Sequence, residues 1–279
     1  MATWEITEPQ RLDLADDVKQ LDVNLFGGRL TVVGTDGPPR VEIASAGSLK
    51  VIVALDGGRL SIRHDRPRTW PGPLAPLWWW WRGQHAVRAD VSVAVPHDTP
   101  TTLQLTSGPA VVSSLSGNLT VQCTSGKISL LGVAGEIRAT MVSGSIDAIG
   151  CAGSLWLQTV SGEITLADSA PHRLTAKTVS GALTADLDNA AHDSQLFLDS
   201  VSGGMTLRIR EDSDLSVDLT AHSGRVTSGF PDLTVEGRWG RAVRGTLGAG
   251  TGRLVATAVS GNIALLRRPV DLDFGTEPS

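Results

Sequence analysis

Apolar residues recur at every second position along most of the chain, in short runs that each follow a small residue and a glycine. After Ser125-Gly126, for example, Ile128 and Leu130 are separated by a polar residue. Such alternation predicts a short, half-buried β-strand. The glycine before each run permits a backbone corner that a Cβ would obstruct. We therefore predict short strands joined by tight corners.

The corners repeat every nine residues in the middle of the chain and at looser spacings later. A unit this short has too little apolar surface to fold alone, so neighbouring units must stack to form a continuous core. The small residue is always serine in every second copy, which indicates a full coil of about 18 residues with two strands and two corners. The predicted structural corners are Gly108, Gly117, Gly126, Gly135, Gly144, Gly153, Gly162, Gly181, Gly203, Gly224 and Gly261.

These patterns predict an all-β fold, a β-solenoid of stacked short strands with coils of about 18 residues. The same pattern occurs near the N-terminus, so we place a single solenoid domain at 21–268. Residues 1–20 are predicted to be an N-terminal strand or cap segment, and 269–279 a C-terminal tail. We expect the last copy of the repeat, at 250–268, to close the stack.

A Pro- and Trp-rich loop excursion, 64–89, interrupts the strand pattern. Its four prolines forbid a regular hydrogen-bonded ladder. It also contains four consecutive tryptophans, which cannot all face inward because alternate side chains of an extended segment point to opposite sides. The predicted binding residues are Trp78, Trp79, Trp80, Trp81 and Arg82.

The tryptophan run has several interpretations. It could be a packed cap over an end of the solenoid or a subunit interface, and we favour these two. It could also anchor the protein at a membrane interface, where tryptophan is common and Arg82 would suit anionic headgroups. Stacking on carbohydrate is a further alternative.

The net charge and the lack of a signal-peptide or membrane-span pattern bear on the expected partners and location. The net charge of −5 argues against nucleic acid as a partner, because phosphate binding needs a basic face. Basic residues cluster locally at Arg238, Arg241 and Arg244, either as a small anion or membrane patch or, as we favour, as a solvated strand edge. The N-terminus does not resemble a signal peptide, and no 18-residue apolar segment occurs. We expect a cytoplasmic protein, with peripheral membrane contact as an open alternative.

No pattern in the sequence indicates catalysis or a cofactor. The repeat lacks the regular aspartate of calcium-binding nonapeptides, and the six histidines show no metal-ligand spacing. Cys123 and Cys151 are predicted to be buried free thiols. No nucleophile elbow or carboxylate cluster stands out. We therefore predict no metal, no cofactor and no catalytic residues.

The motifs "TSGKISL", "VSGSIDA", "VSGEITL", "VSGALTA" and "AVSGNIAL", preceded by "VSVAVPHDTPTTLQLTSG", carry a family resemblance. Together they resemble the bacterial "putative adhesin" domain of unknown function, which is related to the toast-rack domains. The resemblance spans nearly the whole chain from 20 to 268. It implies a β-solenoid-like fold and no catalytic motif. Some relatives occur with cell-envelope stress systems and are often tethered to membrane segments.

The sequence thus predicts a non-catalytic β-solenoid that acts as a binding or scaffold module. Its Trp-rich loop would engage an unknown protein partner, a second copy of the chain or a membrane surface during envelope stress. The main alternative is a purely structural protein that assembles end to end or as an oligomer. A carbohydrate-active β-helix protein is a more distant alternative, which would need carboxylates clustered in a groove.

Overall fold

The computed structural model describes residues 2–14, 17–47, 49–65, 88–188, 193–237 and 240–269, and its regular secondary structure there is entirely β-strand. The strands of the N-terminal part are β1 (Ala2–Ile6), β2 (Gln10–Asp13), β3 (Gln20–Gly34), β4 (Arg40–Ser45), β5 (Val51–Asp56), β6 (Arg59–His64) and β7 (Ala89–Val95). The strands of the central part are β8 (Thr101–Ser113), β9 (Leu119–Leu131), β10 (Ala134–Ile149), β11 (Ala152–Ser161), β12 (Ile164–Ser180), β13 (Leu183–Leu187), β14 (Gln195–Ser202) and β15 (Met205–Arg210). The remaining strands are β16 (Leu215–Ser223), β17 (Val226–Ser228), β18 (Thr234–Glu236), β19 (Ala242–Leu247), β20 (Gly252–Ser260) and β21 (Ile263–Arg268).

The coils stack in parallel and in register. Ser107 pairs with Ser125, and Ser125 with Ser143, at a spacing of 18 residues. The residues before each of these serines form a first sheet, and the residues after it form a second sheet. The predicted all-β solenoid with coils of about 18 residues is therefore confirmed.

The core lies between the two sheets and is built by the alternation read from the sequence. In β9, Leu119 and Val121 point inward from the first sheet, and Ile128 and Leu130 from the second, with each side chain at most 1% exposed. Burying such a side chain stabilises the fold by about 1.5–3 kcal/mol. Truncating Ile128 to alanine would leave a cavity and cost about 2–5 kcal/mol.

The order of the coils departs from the order of the chain at the C-terminal end. Strand β20 pairs with β14 on one side and with β16 on the other, and β21 pairs with β15 and β17. The expectation that 250–268 closes the stack is therefore wrong, because this coil lies between its two predecessors. The segment that follows β17 forms an antiparallel hairpin, β18–β19, which covers the outer edge of β16.

The N-terminal end is arranged in the same way. Strand β3 pairs with β8 on one side, and with β6 and β7 on the other. Together β6 and β7 are the two halves of an outer coil. Antiparallel strands then cover this coil, with β5 and β1 beyond β6, and β4 and β2 beyond β7.

Candidate functional site

One edge of the solenoid is a column of glycines, which we call the Ser-Gly edge. Gly144 has φ +127°, and a Cβ added to it would lie within 3.0 Å of the Gly126 carbonyl oxygen. Most side chains cannot adopt this backbone conformation, and none fits this close an approach. In each glycine of this column an added Cβ would meet a backbone carbonyl oxygen of the neighbouring coil: Gly28, Gly108, Gly126, Gly144, Gly162, Gly181, Gly203, Gly224 and Gly261.

The other predicted corners lie on the opposite edge of the coil. Gly135 follows Gly117, and Gly153 follows Gly135, in neighbouring coils. The next coil places Pro171 opposite Gly153, and the register shifts there. The opposite edge therefore does not keep one residue type from coil to coil.

An apolar stripe runs along the Ser-Gly edge. Because Met141 points into the core, Val142 must point outward, and the same parity holds in the following coils. The five valines of this valine stripe are between 44% and 49% exposed: Val142, Val160, Val179, Val201 and Val259. They span four strand spacings, roughly 19 Å.

A column of serines follows the valine stripe immediately. These serines pair in register from one coil to the next, and in their order along the edge they are Ser107, Ser125, Ser143, Ser161, Ser180, Ser202, Ser260 and Ser223. All are exposed at the surface. The edge thus presents methyl groups and hydroxyl groups in two parallel rows.

The chain of the Trp-rich excursion leaves and re-enters the solenoid at this same edge. Arg63 of β6 pairs with Asn24, and Ala89 of β7 pairs with Gly28, on the two sides of the corner in β3. The connection between β6 and β7 therefore takes the place of a Ser-Gly step. The predicted binding residues Trp78, Trp79, Trp80, Trp81 and Arg82 lie outside the described residues.

A buried histidine, which no sequence pattern marked as a candidate, ends β6 at this corner. His64 is 3% exposed and stacks on Phe26 with ring centroids 5.7 Å apart. Its Nδ1 accepts a hydrogen bond of 3.0 Å from the Phe26 N–H, while its buried Nε2 has no hydrogen-bond partner among the residues that the structure describes. Burial lowers the pKa of His64, because the charged form loses its hydration. The corner therefore holds a neutral imidazole with its proton on Nε2.

The remaining candidate chemistry is sparse in the described ranges. There, no three His, Cys, Asp or Glu side chains are grouped so as to hold a metal ion. Cys123 and Cys151 are buried free thiols, as predicted, and burial raises the pKa of both. Among these residues, no helix is long and apolar enough to cross a membrane.

Comparison with known proteins bears on the C-terminal part of the chain. The Toastrack DUF4097 family model matches residues 150–266, which confirms the predicted resemblance to this group over that part. No curated protein is detectably similar in sequence.

Several solved structures are similar to this chain, each at low sequence identity. One is a "putative adhesin" from Bacteroides fragilis, 11% identical, with 95% of this chain and 96% of that chain covered and a TM-score of 0.48. Another is a "putative lipid binding protein" from Parabacteroides distasonis, 10% identical, with coverage of 93% and 97% and a TM-score of 0.41. A third is a "putative cell adhesion protein" from Clostridium sporogenes, 11% identical, with coverage of 94% and 100% and a TM-score of 0.29.

Proposed function

We propose that this protein, whose residues 150–266 match the Toastrack family, is a non-catalytic β-solenoid that binds a second copy of the chain through its Ser-Gly edge. The valine stripe carries the proposal. Five neighbouring coils each leave a β-branched apolar side chain about half exposed on the same line. A continuous exposed apolar surface of this kind is typical of an interaction site, whereas single exposed apolar residues are ordinary.

The stripe is too narrow to be the whole interface. It is one residue wide and roughly 19 Å long, whereas a stable interface buries about 800 Å² on each partner. A partner must therefore also cover the serine column and reach the start of the Trp-rich excursion, which lies at the same edge. Tryptophan is enriched in the centres of such interfaces.

Membrane contact is the second candidate, and the tryptophan run itself supports it. Consecutive indoles beside Arg82 suit the boundary between acyl chains and anionic headgroups. The resemblance to a family with members in envelope-stress systems supports such a setting. A cytoplasmic location stays a prediction, which cell fractionation would test.

End-to-end assembly is less favoured by the structure. Stacking through backbone hydrogen bonds needs long unpaired strand edges. At the C-terminal end β17 and β18 are three residues long each, and at the N-terminal end β1 and β2 are five and four residues long. Short strands of this kind offer few free backbone groups to a second copy.

A carbohydrate-active role is also less favoured. Three carboxylates, Asp17, Asp36 and Asp98, line a surface hollow beside the imidazole of His97. The Asp36 side chain is 99% exposed, and it pairs with His97 at 3.5 Å. A glycosidase general acid works in a site that excludes water, and the exposed Asp36 side chain shows that this hollow is open to solvent.

The proposal is tested with three variants of matched size. V160S/V179S changes the valine stripe, and W79S/W81S changes the tryptophan run. The control L131S/I149S removes two apolar side chains of the opposite edge, which are 38% and 44% exposed. Each protein is examined by sedimentation velocity, and by tryptophan fluorescence with and without anionic vesicles.

A protein interface between copies predicts that the parent self-associates and that only V160S/V179S and W79S/W81S reduce the association. A blue shift with vesicles that W79S/W81S abolishes, in a parent that stays monomeric, would instead support the membrane candidate. If the parent neither self-associates nor binds vesicles, or if the control behaves like the stripe variant, the Ser-Gly edge is neither a self-association surface nor a membrane-binding surface.

A further inference from the structure

A separate surface feature at the C-terminal end of the stack combines an open pocket with two arginines. The pocket has a volume of about 580 Å³ and lies on the outer surface of the second sheet, where β15, β21 and β17 leave the Ser-Gly edge. The surface is hollow there for two reasons. Gly204 has no side chain, and Ala264, which lies between Thr206 and Thr227 in the paired strands, has a short one. Among the described residues, the pocket lining includes Arg225 and Arg241 and no carboxylate.

Backbone hydrogen bonds bring the two arginines to one place. The Ala221 N–H donates to the Arg241 carbonyl oxygen, and the Val226 N–H donates to the Gly240 carbonyl oxygen, both at 2.8 Å. These bonds hold the start of β19 against the corner between β16 and β17, where Arg225 lies. The intercalated coil supplies Asn262, whose Oδ1 accepts a hydrogen bond of 2.9 Å from the Arg225 N–H. The Asn262 NH₂ group therefore remains a donor at the pocket.

The charge on the two arginines is uncompensated, unlike that of a neighbour on the same hairpin. Arg244 pairs with Asp218 at 3.2 Å and with Glu236 at 3.1 Å. Within the described ranges, neither Arg225 nor Arg241 has an ion pair or a side-chain hydrogen bond. Two like charges that share a pocket without a counter-charge create a positive potential that favours an anion.

We propose that this pocket binds a phosphate monoester group between Arg225 and Arg241. The planar guanidinium matches the geometry of phosphate oxygens and binds them through paired hydrogen bonds. A phosphate monoester carries about −1.5 to −2 charges at neutral pH, which balances two arginines, whereas a carboxylate would balance one. The amide of Asn262 and the hydroxyl of Thr206 provide further donors at the rim.

The phosphate could belong to a soluble metabolite or to a lipid headgroup, and the chemistry of recognition is the same. The proposal does not depend on the valine stripe, because it rests on different residues. Its failure and that of the proposed partner binding are therefore distinguishable.

The test uses the full chain at fixed ionic strength, since exposed charges are screened by salt. Binding of glycerol phosphate is measured by isothermal titration calorimetry. Binding to phosphatidylcholine vesicles, with and without phosphatidic acid, is measured by co-sedimentation. The variant R225Q/R241Q is compared with R253Q/R267Q, which removes the same charge from two exposed arginines outside the pocket.

A second variant keeps both arginines and fills the pocket. The Cβ of a residue at Gly204 would meet nothing closer than the Asn262 carbonyl oxygen at 3.8 Å, and the glycine has no left-handed φ. We therefore expect Gly204→Leu to fold like the parent and to occupy the space of the ligand.

The expected result is saturable binding of glycerol phosphate that weakens at least tenfold in R225Q/R241Q and in Gly204→Leu, and less than twofold in R253Q/R267Q. Vesicle binding that requires phosphatidic acid and follows the same order would identify a lipid headgroup as the source. Its absence, with glycerol phosphate still bound, would identify a soluble phosphate. No binding by the parent, or equal losses in the two double arginine variants, would overturn the proposal.

Discussion

The chain passes from one sheet to the other at two edges of each coil, and the backbone packs differently at these two edges. At the Ser-Gly edge, the glycine of one coil lies against a carbonyl oxygen of the next, from Gly28 to Gly224. At the opposite edge, added Cβ atoms on Gly135 and Gly153 would also meet a glycine carbonyl oxygen of the neighbouring coil, but a Cβ on Gly132 would meet nothing within 4 Å. Most insertions between strands lie at this second edge, as between β13 and β14. Close backbone stacking thus fixes residue type and loop length along the Ser-Gly edge, and along only part of the opposite edge.

The Trp-rich excursion is an exception at the Ser-Gly edge, and its place explains why it is tolerated. It interrupts the outer coil formed by β6 and β7, which has a parallel coil on one side only. On the other side lie the antiparallel strands β5 and β4. No further glycine has to stack on this corner, so a long insertion there breaks no column.

The largest effect is expected when a glycine is replaced by alanine at each of the two edges. We expect Gly144→Ala to cost on the order of 3–5 kcal/mol, because its Cβ would overlap the Gly126 carbonyl oxygen at a φ of +127°. Gly132→Ala has φ +58° but free space, so it should cost only about 1–2 kcal/mol. Urea unfolding measures both. Equal losses in the two variants would mean that the stacking of carbonyl oxygens on glycines does not limit the Ser-Gly edge.

A second test concerns side-chain hydrogen bonds at the opposite edge. Ser169 is fully buried there, and its Oγ accepts a hydrogen bond of 3.1 Å from the Cys151 N–H. Ser169→Ala leaves this buried N–H without a partner and should cost about 1–3 kcal/mol in urea unfolding. Ser161→Ala, at an exposed position of the Ser-Gly edge, is the control and should leave the unfolding midpoint nearly unchanged. A midpoint for Ser169→Ala equal to that of the control would contradict the assignment.

The third test uses pH at the interrupted corner. His64 has a lowered pKa in the folded protein, so the unfolded chain binds its proton first. Stability should therefore be fully present above the ordinary imidazole pKa of about 6.5 and decline as pH falls toward the folded pKa, by at most about 1.4 kcal/mol per pH unit. Unfolding by urea at pH 8, 6.5 and 5 measures this decline in the parent and in His64→Gln. The decline should be shallower in the variant, and parallel curves would show that His64 does not titrate on unfolding.

The smallest effect is expected on the valine stripe. Val160 is 44% exposed, so Val160→Ser removes little buried surface and should change the free energy of unfolding by no more than about 0.5 kcal/mol. A thermal melt like that of the parent, together with altered self-association, would separate binding from folding at this edge. A loss of several degrees would instead assign the valines to the fold.

The repeat made much of the fold predictable. Alternation in "KISLL" and its equivalents gave the buried positions, and the serine at every second corner gave the coil length, because both are local properties of a strand and a corner. The outward direction of Val142 could also have been inferred from Met141, since alternate residues face opposite sides. The predictions from the sequence named the corner glycines and not these valines.

The order of the coils and the arginine pocket could not be predicted in the same way. Every coil presents the same register to its neighbours, so β20 fits beside β14 as well as β16 would. The choice depends on the connections, including a short link between β15 and β16. Arg225 and Arg241 approach each other only because the β18–β19 hairpin folds back on that corner, and no periodic signal encodes such a contact.

The position of β20 and β21 also sets an order of events during synthesis. As the polypeptide emerges from the ribosome, β16 and β17 appear before the strands that separate them from β14 and β15. Their parallel neighbours in the finished stack are β20 and β21, which are made later. The C-terminal third therefore cannot assemble coil by coil behind the ribosome. The coil of β16 and β17 can complete its parallel pairing only after β20 and β21 have been made. A nascent chain released before residue 252 would therefore expose the apolar edges of two coils at once.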